Sequence, residues 1–265
     1  MDHLTQFKEM QKQSWAQFAL FEAITTPAAA RLVRYATIAP GMRVLDVGCG
    51  TGVVAITAAR LGAVVHAIDL TPVLLERARE NGRLAQVDVD WLEGDAESLP
   101  FPDVHFDAVL SHFGHIFAPR PEVAIAEMLR VLKPGGAIAF AAWPPDTLVG
   151  QSGALSARYF PPPPTPIPPP TQWGEPKIIE QRLGSAVENL KFERATILVP
   201  ALSLAHYRAG VERAAGPIVK LIEALAADPA RLASFRSEFD AIAAPYFADN
   251  LVRQEYVMTS AKKVQ

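Results

Sequence analysis

The residues of this sequence that are best placed to do chemistry are acids and glycines that follow short apolar runs. Asp46 stands inside such a run, residues 43–47, and glycines follow it at positions 48, 50 and 52. Glycines spaced in this way let the backbone turn sharply and present bare N–H groups to a ligand at a helix N-terminus. A dinucleotide pyrophosphate requires the spacing G-x-G-x-x-G, whereas this loop reads G-x-G-x-G after an acid. The pattern therefore disfavours a phosphate and suits a cation or a hydrogen-bond donor.

A second acid, Asp69, closes the next apolar run, residues 64–69. A carboxylate at the end of the second strand of a doubly wound sheet can accept hydrogen bonds from both hydroxyls of a ribose. Dehydrogenases use the same arrangement, so Asp69 alone does not identify a ligand. The alternative is a carboxylate that only caps the following helix, which we disfavour because Thr71 is available for that role.

These acids require a sheet whose strands end together, and the sequence predicts one. Apolar, β-branched runs alternate with helical stretches between residues 40 and 143, which indicates parallel strands covered by helices on both faces. The proline and glycines of LRVLKPGG end the last of these helices and lead into the fifth strand. The predicted strands are residues 43–47, 64–69, 87–95, 106–111, 137–143, 190–199 and 251–262, and the predicted helices between the first five are residues 53–61, 72–82 and 122–131.

Three further regions flank or interrupt this core. Residues 1–40 predict two amphipathic helices separated by Pro27, which either pack on the domain or cover a ligand. Residues 144–184 contain eight prolines within ten positions, a composition that favours polyproline II. We interpret this region as a spacer leading to a lid, rather than as a ligand for an SH3-type domain. Residues 203–247 are rich in alanine and broken by prolines, and we predict a helical cap inserted between the sixth and seventh strands.

Composition excludes several classes of protein. Half of the residues are hydrophobic and 20% are charged, which is usual for a soluble enzyme. The net charge is −3 and no long basic run occurs, so nucleic acid is not an expected partner. The one cysteine, Cys49, excludes an intramolecular disulfide and fits a reducing compartment. No apolar stretch reaches membrane-spanning length and the N-terminus does not resemble a signal peptide, so we expect a cytoplasmic location.

Three motifs, VLDVGCGTG, GDAESLPF and LRVLKPGG, resemble those of class I S-adenosylmethionine-dependent methyltransferases. The last two are typical of the branch that includes the quinone-biosynthesis-type enzymes (methyltransferase type 11). The resemblance is strong over residues 40–143 and rests on pattern alone over 185–265, and we assign residues 41–143 and 185–265 to the core. It implies an α/β fold with a Rossmann-like, seven-stranded, mostly parallel sheet whose last strand is antiparallel, plus helical cap insertions.

The resemblance also implies S-adenosyl-L-methionine as the cofactor, with S-adenosyl-L-homocysteine as its product, and no metal. Asp46 and the backbone of the glycine loop would hold the methionine part. Asp69 would hold the ribose, and Asp95 with Ala96 the adenine. We assign Cys49 a role through its small size, because no base or second cysteine stands nearby in sequence. The expected cofactor contacts are Asp46, Gly48, Cys49, Gly50, Gly52, Asp69, Leu70, Asp95, Ala96, Glu97 and Ser111.

The methyl acceptor is expected to be a small molecule bound over the carboxyl edge of the sheet. Phenylalanines after the fourth strand favour an apolar pocket that suits an aromatic, quinone-like or heterocyclic acceptor, with O-, N- and C-methylation all open. His115, and after it His112, are the candidate general bases, because a loop histidine titrates near neutral pH. The expected pocket residues are Trp15, Phe18, Phe113, Phe117, Tyr159 and His206.

Two other functions stay open on sequence grounds. A protein that binds the same cofactor without transferring its methyl group would keep every cofactor motif and differ only in the acceptor pocket. A nicotinamide-dependent oxidoreductase is disfavoured by the glycine spacing and by Asp46. The oligomeric state is not indicated by the sequence.

Overall fold

The strands predicted from the sequence form one mixed sheet. A computed structural model describes residues 3–16, 18–160 and 166–265 of the chain. The strands are β1 (Arg43–Val47), β2 (Val64–Asp69), β3 (Asp90–Glu93), β4 (Phe106–His112), β5 (Leu132–Ala142), β6 (Val187–Pro200), β7 (Phe247–Ala248) and β8 (Leu251–Lys263). Their order is β3-β2-β1-β4-β5-β8-β6, and the two-residue β7 pairs with β8. The neighbours among β1 to β5 are parallel, and β8 is antiparallel to both β5 and β6. The predicted fold is confirmed, with the short β7 as an unpredicted addition.

The direction of winding reverses between β1 and β4, which lie side by side in the sheet. The chain proceeds from β1 to β2 and β3 on one side, and from β4 to β5 on the other. In open α/β sheets such a reversal leaves a crevice outside the carboxyl ends of the two central strands, where ligands bind. The fold therefore places the glycine loop after β1 and the loop after β4 on either side of this crevice.

Those two loops touch at a pair of glycines. A Cβ placed on Gly48 would lie 2.7 Å from the Cα of Gly114, and a Cβ on Gly114 would lie 2.3 Å from the carbonyl oxygen of Gly48. Beside this contact, the hydroxyl of Ser111 donates to the carbonyl of Val47 at 2.6 Å and accepts from the N–H of His115 at 3.0 Å. The loops are thus held together by backbone contact and by one buried serine, which makes Ser111 a link between strands.

Helices cover both faces of the sheet and continue beyond it. Within the described residues they are α1 (His3–Trp15), α2 (Glu22–Tyr35), α3 (Val53–Arg60), α4 (Pro72–Ala85), α5 (Pro121–Val131), α6 (Leu148–Tyr159), α7 (Pro176–Leu183), α8 (Leu204–Ala214), α9 (Gly216–Leu225) and α10 (Pro229–Ala243). Helices α8 to α10 lie between β6 and β8, and α6 packs against α10. Helix α1 packs against α9, since a Cβ on Gly216 would lie 2.7 Å from the carbonyl oxygen of Ser14.

One predicted boundary in the N-terminal region is wrong. The pattern predicts that Pro27 separates two helices, but α2 continues through this residue. The break falls earlier, where the short 3-10 turn Phe18–Phe21 joins α1 to α2. An interior proline removes one N–H donor, and it bends a helix that is otherwise well packed instead of ending it.

Two other boundaries differ because of packing. The sequence predicts that helix α4 ends at Gly82, but the helix continues to Ala85. Its C-cap residue, Gln86, has a left-handed φ of 55°. Gly82 serves a close approach, because a Cβ there would lie 3.3 Å from the ring of Trp91. Strand β3 covers Asp90–Glu93 and not the whole of residues 87–95, since it lies at the edge of the sheet and pairs with β2 alone.

The proline-rich segment is described in part. Residues 161–165 lie outside the described residues. Pro169 has φ and ψ of −64° and 139°, the angles of polyproline II, and the 3-10 turn Pro170–Gly174 follows it. Pro169, the residue before the turn, therefore has the polyproline II conformation that the composition predicts.

None of the helices in the described residues combines the length and apolarity needed to cross a membrane. In the same parts of the chain, no three His, Cys, Asp or Glu side chains come together as metal ligands.

Gly114→Ala should destabilise the protein, because its Cβ would press on the backbone of Gly48. We expect a loss of roughly 1–3 kcal/mol in the free energy of unfolding, as for other overpacked interior sites. The matched control is Gly153→Ala in α6, where a Cβ would meet nothing within 4 Å and alanine favours the helix. Urea unfolding of both variants gives the comparison. A Gly114→Ala protein as stable as the control would show that the two loops do not need to touch.

Candidate functional site

The glycine loop leaves open space at one residue. Gly50 has a φ of +54°, and a Cβ placed on it would meet no atom within 4 Å. Gly52 also has a positive φ, of +85°, but a Cβ there would lie 2.5 Å from the ring of Trp91. The loop is therefore packed against protein at Gly48 and Gly52 and open at Gly50. A ligand in the crevice would lie against Gly50.

The N–H groups of this loop are already used within the protein. Those of Gly48 and Cys49 donate to the carbonyl of Ile68 at 2.8 and 3.0 Å. That of Gly50 donates to Oδ2 of Asp69 at 2.8 Å. The expectation that bare N–H groups face a ligand is wrong for these three residues. The carbonyl oxygens of the loop are the backbone groups that suit a ligand with donors or a positive charge.

Asp46 is a buried acid with an unused oxygen. Its Oδ2 accepts from the N–H of Ala55 in the first turn of α3 at 3.0 Å, while Oδ1 is buried and has no hydrogen-bond partner among the described residues. Burial raises the pKa of Asp46 to about 7; the Ala55 N–H opposes this shift and the neighbouring Asp69 carboxylate adds to it. A buried polar atom without a partner is destabilising. A hydrogen-bond donor or a cation of a ligand would satisfy this oxygen.

Asp69, at the end of β2, binds both the glycine loop and the start of α4. Its Oδ1 accepts from the N–H of Thr71 and its Oδ2 from the N–H of Gly50, both at 2.8 Å. Burial raises the pKa of Asp69, and these two N–H donors oppose the shift. The Thr71 side chain makes no capping hydrogen bond to α4. The prediction that Thr71 caps this helix in place of Asp69 is therefore wrong. Each carboxylate oxygen can still accept a second hydrogen bond.

Cys49 shows no sign of a reactive role. Its side chain is buried. Burial, followed by the charges of Asp69 and Asp46, raises the pKa of this thiol well above its ordinary value of 9.0. A thiol that stays protonated at neutral pH is a poor nucleophile and metal ligand.

Asp95 lies in a tight turn after β3. The N–H of Ser98 donates to the Asp95 carbonyl at 3.0 Å, and the N–H of Glu97 donates to Asp95 Oδ1 at 2.9 Å. Ala96 therefore sits within the turn, partly buried against the core. The other carboxylate oxygen of Asp95 accepts from Nζ of Lys8, on α1, at 2.5 Å. The acid expected to meet adenine is thus held in a fixed orientation by contacts from two sides.

Glu97 does not present its carboxylate to a ligand. Its side chain is fully buried. Oε1 accepts from the N–H of Arg120 at 2.6 Å, and Oε2 accepts from Nε of Arg120 at 2.9 Å and from Nζ of Lys8 at 2.6 Å. The prediction that Glu97 contacts the cofactor is corrected accordingly, because both oxygens bind cationic residues of the protein.

A cavity of about 300 Å³ lies beside Asp95, and we call it the α1 cavity. One side is formed by Leu70, Asp95 and Arg120, at the carboxyl edge of the sheet. Helix α1 closes the other side. Its contributing residues are Leu4, Thr5, Lys8, Glu9 and Lys12. Volumes of this size belong to small-molecule pockets.

His115 is not placed to act as a base. Its side chain is buried, its ring lies 4.7 Å from that of Phe140 and 4.5 Å from that of Trp173, and neither ring nitrogen has a partner among the described residues. Burial and, secondarily, the Arg182 guanidinium lower the pKa of His115 to about 3. The prediction is wrong because the loop after β4 turns this side chain into the core.

His112 lies among aromatic side chains at the end of β4. Its ring is 4.3 Å from that of Phe113, which stacks on Trp143 at 4.1 Å and meets the edge of Tyr256 at 5.6 Å. Nε2 of His112 is buried and unpartnered within the described part of the chain. Burial lowers the pKa of His112 to about 3, so it does not titrate near neutral pH as the sequence argument supposes. The imidazole is a neutral hydrogen-bonding group here.

The other predicted pocket residues fall into separate places. Trp15 packs on Phe117 at 4.5 Å and on Phe18 at 5.5 Å, which joins α1 to the loop after β4. Tyr159 instead packs on Phe235 of α10. Its hydroxyl donates to Glu238 at 2.6 Å.

His206 is exposed at the start of α8, where its Nδ1 accepts from the N–H of Leu202 at 3.2 Å. The assignments of Tyr159 and His206 to the pocket are therefore corrected: the first belongs to the contact between α6 and α10, the second to a helix N-terminus.

Sequence reasoning missed Lys8, Arg120, Trp143 and Tyr256. A signal for Lys8 existed, since Lys8 and Lys12 are four residues apart and share one face of a helix. The acids that this face meets, Asp95 and Glu93, lie more than eighty residues away in sequence. Nothing local connects the two sets of charges.

The sequence is similar to those of known methyltransferases. A family model described as a methyltransferase domain matches residues 45–140. An uncharacterised protein of Mycobacterium tuberculosis is 32% identical over 253 residues, which are 94% of this chain and 92% of that protein. The demethylmenaquinone methyltransferase of Renibacterium salmoninarum is 44% identical over 102 residues, which are 38% of this chain and 41% of that enzyme.

A solved structure shares the fold over most of this chain. Phosphoethanolamine N-methyltransferase 2 of Haemonchus contortus, in complex with phosphomonomethylethanolamine and S-adenosylhomocysteine, superposes with a TM-score of 0.57. The match covers 94% of this chain and 57% of that chain at 21% identity. At this identity the likeness concerns the fold alone.

Asp46→Asn should stabilise the ligand-free protein at alkaline pH. The pKa of Asp46 is about 7 in the folded protein, against an ordinary value of 3.8, so the folded state keeps a proton that the unfolded chain loses. The free energy of unfolding should therefore fall by roughly 4 kcal/mol as the pH rises through this interval. Asparagine keeps an acceptor for Ala55 and carries no charge, so the variant should lose most of this pH dependence.

The measurement is urea unfolding of the ligand-free protein between about pH 4.5 and 8. Asp88→Asn, at an exposed carboxylate, is the matched control. Identical pH dependence in wild type and Asp46→Asn would contradict the ionisation assigned to this buried acid.

Proposed function

We propose that this chain, which belongs to the class I S-adenosylmethionine-dependent methyltransferases and resembles their quinone-biosynthesis-type branch, transfers a methyl group from this cofactor to a small aromatic, quinone-like or heterocyclic acceptor. One feature of the segment around the glycine loop carries the proposal. Among the described residues, the buried Oδ1 of Asp46 has no hydrogen-bond partner, and a Cβ placed on Gly50 would meet no atom within 4 Å.

The residues present fit the cofactor. Its methionine part carries an ammonium group, which suits the unpartnered Oδ1 of Asp46 and the carbonyl oxygens of the glycine loop. A pyrophosphate would instead meet two buried carboxylates, Asp46 and Asp69, whose hydrogen-bond donors among the described residues are backbone N–H groups and not cations. The charge of this end of the site therefore favours S-adenosylmethionine over a dinucleotide.

The remaining parts of the cofactor have their own places in this proposal. Asp69 accepts from the ribose hydroxyls with the lone pairs that Thr71 and Gly50 leave free. Adenine lies in the α1 cavity, beside Leu70, with Asp95 accepting from its amino group. Ser111 and Glu97 support these segments without touching the cofactor.

The bound cofactor supplies a methyl group on a positively charged sulfur. The protein contributes alignment of the acceptor and exclusion of water, since an in-line displacement depends on the mutual position of the reacting atoms. His112 contributes a neutral hydrogen bond that orients the acceptor. His115 has no part in proton transfer, because it is packed in the core with a pKa of about 3.

Aromatic side chains near the carboxyl ends of β4 and β5 support this class of acceptor. Phe113, Trp143 and Tyr256 lie in mutual ring contact there, with His112 alongside. Phe113 and Tyr256 are buried, whereas Trp143 is partly exposed, and an aromatic ring of this kind binds a flat ligand by stacking and by burial of apolar area. The relative that acts, by its name, on demethylmenaquinone supports an acceptor of this kind. We assign residues 144–184 to a lid, of which 161–165 lie outside the described residues, and residues 203–247 to a cap over this side. A cytoplasmic location is part of the same proposal.

The second candidate is a protein of the same fold that binds the cofactor without methyl transfer. It predicts the same binding of S-adenosylhomocysteine and no turnover. The test is a screen of phenols, hydroquinones and nitrogen heterocycles with S-adenosylmethionine, followed by detection of S-adenosylhomocysteine. Turnover with a ring acceptor supports methyl transfer, and binding without turnover across the panel favours the second candidate.

Gly50→Val should abolish binding of S-adenosylhomocysteine, because valine would fill the open space beside Asp46. The chain offers a matched control in Gly184→Val. Gly184 has a φ of +50° and a Cβ there also meets nothing within 4 Å, so both variants place valine at a positive φ, and Gly184 follows α7 away from the glycine loop. Titration calorimetry with S-adenosylhomocysteine and with NAD separates the outcomes. Tight NAD binding in wild type, without S-adenosylhomocysteine binding, would overturn the cofactor.

Trp143→Leu should raise the KM for the ring acceptor by about 10-fold or more, because it removes a stacking surface. Affinity for S-adenosylhomocysteine should stay within about 2-fold of wild type, since Trp143 lies outside the cofactor contacts. Tyr159→Phe, in the contact between α6 and α10, is the control and should leave the KM unchanged. Steady-state kinetics with the best acceptor gives both values. Equal effects of the two variants would place the acceptor elsewhere.

A further inference from the structure

We propose that Lys8 is a positioning residue: it holds α1 over the adenine end of the cofactor site and fixes the Asp95 carboxylate for adenine recognition. This inference rests on the proposed function. Nζ of Lys8 lies 2.5 Å from Oδ2 of Asp95 and 2.6 Å from Oε2 of Glu97. One ammonium group thus joins a helix near the chain terminus to two acids on the turn after β3.

The environment of this contact makes it stronger than an ordinary surface ion pair. The side chains of Lys8, Asp95 and Glu97 are 15%, 29% and 0% exposed. Partly buried, charge-assisted hydrogen bonds are stronger and less screened by salt than exposed pairs. The Arg120 guanidinium lies 2.7 Å from the same Glu97 oxygen. Two cations and two carboxylates therefore form a balanced cluster, in which Lys8 is the member contributed by α1.

The same contact determines how Asp95 is presented. The N–H of Glu97 holds Oδ1 of Asp95 from the side of the turn, and Lys8 holds Oδ2 from the side of the helix. With one donor on each oxygen, the plane of the carboxylate is fixed while lone pairs stay free on both. Without Lys8, the carboxylate keeps one restraint and is able to rotate about its side-chain bonds.

Helix α1 has other anchors, and they differ in burial. The amide of Gln11 donates to the carbonyl of Phe117 at 3.1 Å, and Trp15 packs on the ring of Phe117. Lys12 pairs with Glu93 at 3.2 Å, but this pair is exposed, at 25% and 52% of the side chains. Because Lys12 lines the same cavity as Lys8, it cannot serve as a control for cofactor binding. The control is Lys220 on α9, which is not among the residues of the cavity and forms an exposed pair with Glu223, at 37% and 59% of the side chains.

The cavity explains why α1 matters to the cofactor. Its α1 side and its sheet side are joined by Lys8, which lines the cavity together with Asp95. In our proposal, a bound cofactor cannot leave between α1 and the edge of the sheet while the contact between Lys8 and Asp95 is formed. Loss of Lys8 should therefore act chiefly on the rate at which the cofactor leaves.

The experiment compares Lys8→Met, Lys8→Arg and Lys220→Met with wild type. Stopped-flow and calorimetric binding of S-adenosylhomocysteine give its dissociation rate and Kd. We expect Lys8→Met to weaken binding by roughly 10-fold or more, mainly through faster dissociation, as for loss of charge-assisted hydrogen bonds. Lys8→Arg should keep most of the wild-type affinity, and Lys220→Met should stay within about 2-fold of wild type.

A second ligand separates positioning of Asp95 from general support of the fold. S-inosyl-L-homocysteine carries a ring carbonyl where S-adenosyl-L-homocysteine carries the amino group, so it lacks the donor that Asp95 would accept. Wild type should prefer the adenine form, and Lys8→Met should reduce this preference. A merely structural role would weaken both ligands alike and leave their ratio unchanged, which would overturn the positioning role.

Hydrogen exchange of the ligand-free proteins decides the role of Lys8 in closing α1. Amides of α1 should exchange faster in Lys8→Met than in Lys220→Met, while those of β1 and β4 stay protected. Equal exchange in the two variants would overturn that role. If wild type binds no S-adenosylhomocysteine, the proposed function fails and the role in adenine recognition fails with it, while exchange still decides the closure of α1.

Discussion

The close approach of Gly48 and Gly114 is the constraint on which the site depends. With a Cα and a carbonyl oxygen of one loop lying where a side chain of the other would stand, β1 and β4 end at a fixed separation. Asp46 is then held beneath the glycine loop by Ala55, and Ser111 is locked between Val47 and His115. The crevice exists because these two loops meet at their bases while Gly50 stays uncovered.

The acids at the two ends of the crevice have different kinds of partner. At the β1 end, Asp46 and Asp69 are buried with backbone N–H donors as their partners, and burial raises the pKa of both. At the other end, Asp95 and Glu97 are matched by the cations Lys8 and Arg120. The first end therefore has two carboxylates without a cationic partner among the described residues, an environment that suits a cationic ligand. The second end is already neutral, and its structure depends on α1 staying in place.

The sequence was informative wherever function depends on local geometry. The positions of Asp46, Gly50 and Asp69 follow from strand ends and glycine spacing, and the parallel arrangement of β1 to β5 follows from the alternation of strands and helices. The sequence was uninformative where the structure depends on packing between residues far apart in the chain. His115 lies in the loop after β4, where the sequence predicts a base, yet Phe140 and Trp173 bury it. Gly82 looks like a helix stop, yet Trp91 uses it as a packing surface. Such outcomes depend on partners that no local pattern specifies.

Helix α1 connects the α1 cavity to the loop after β4 and to α9. Along one helix, Lys8 binds the acids beside the α1 cavity, Trp15 packs on Phe117 in the loop after β4, and Ser14 lies against Gly216 of α9. A displacement of α1 from the cavity as one unit would therefore disturb the other two contacts. If the cavity holds the adenine, as we propose, release of the cofactor by such a displacement would also loosen the loop after β4. An acceptor that stabilises this loop would then keep the cofactor enclosed.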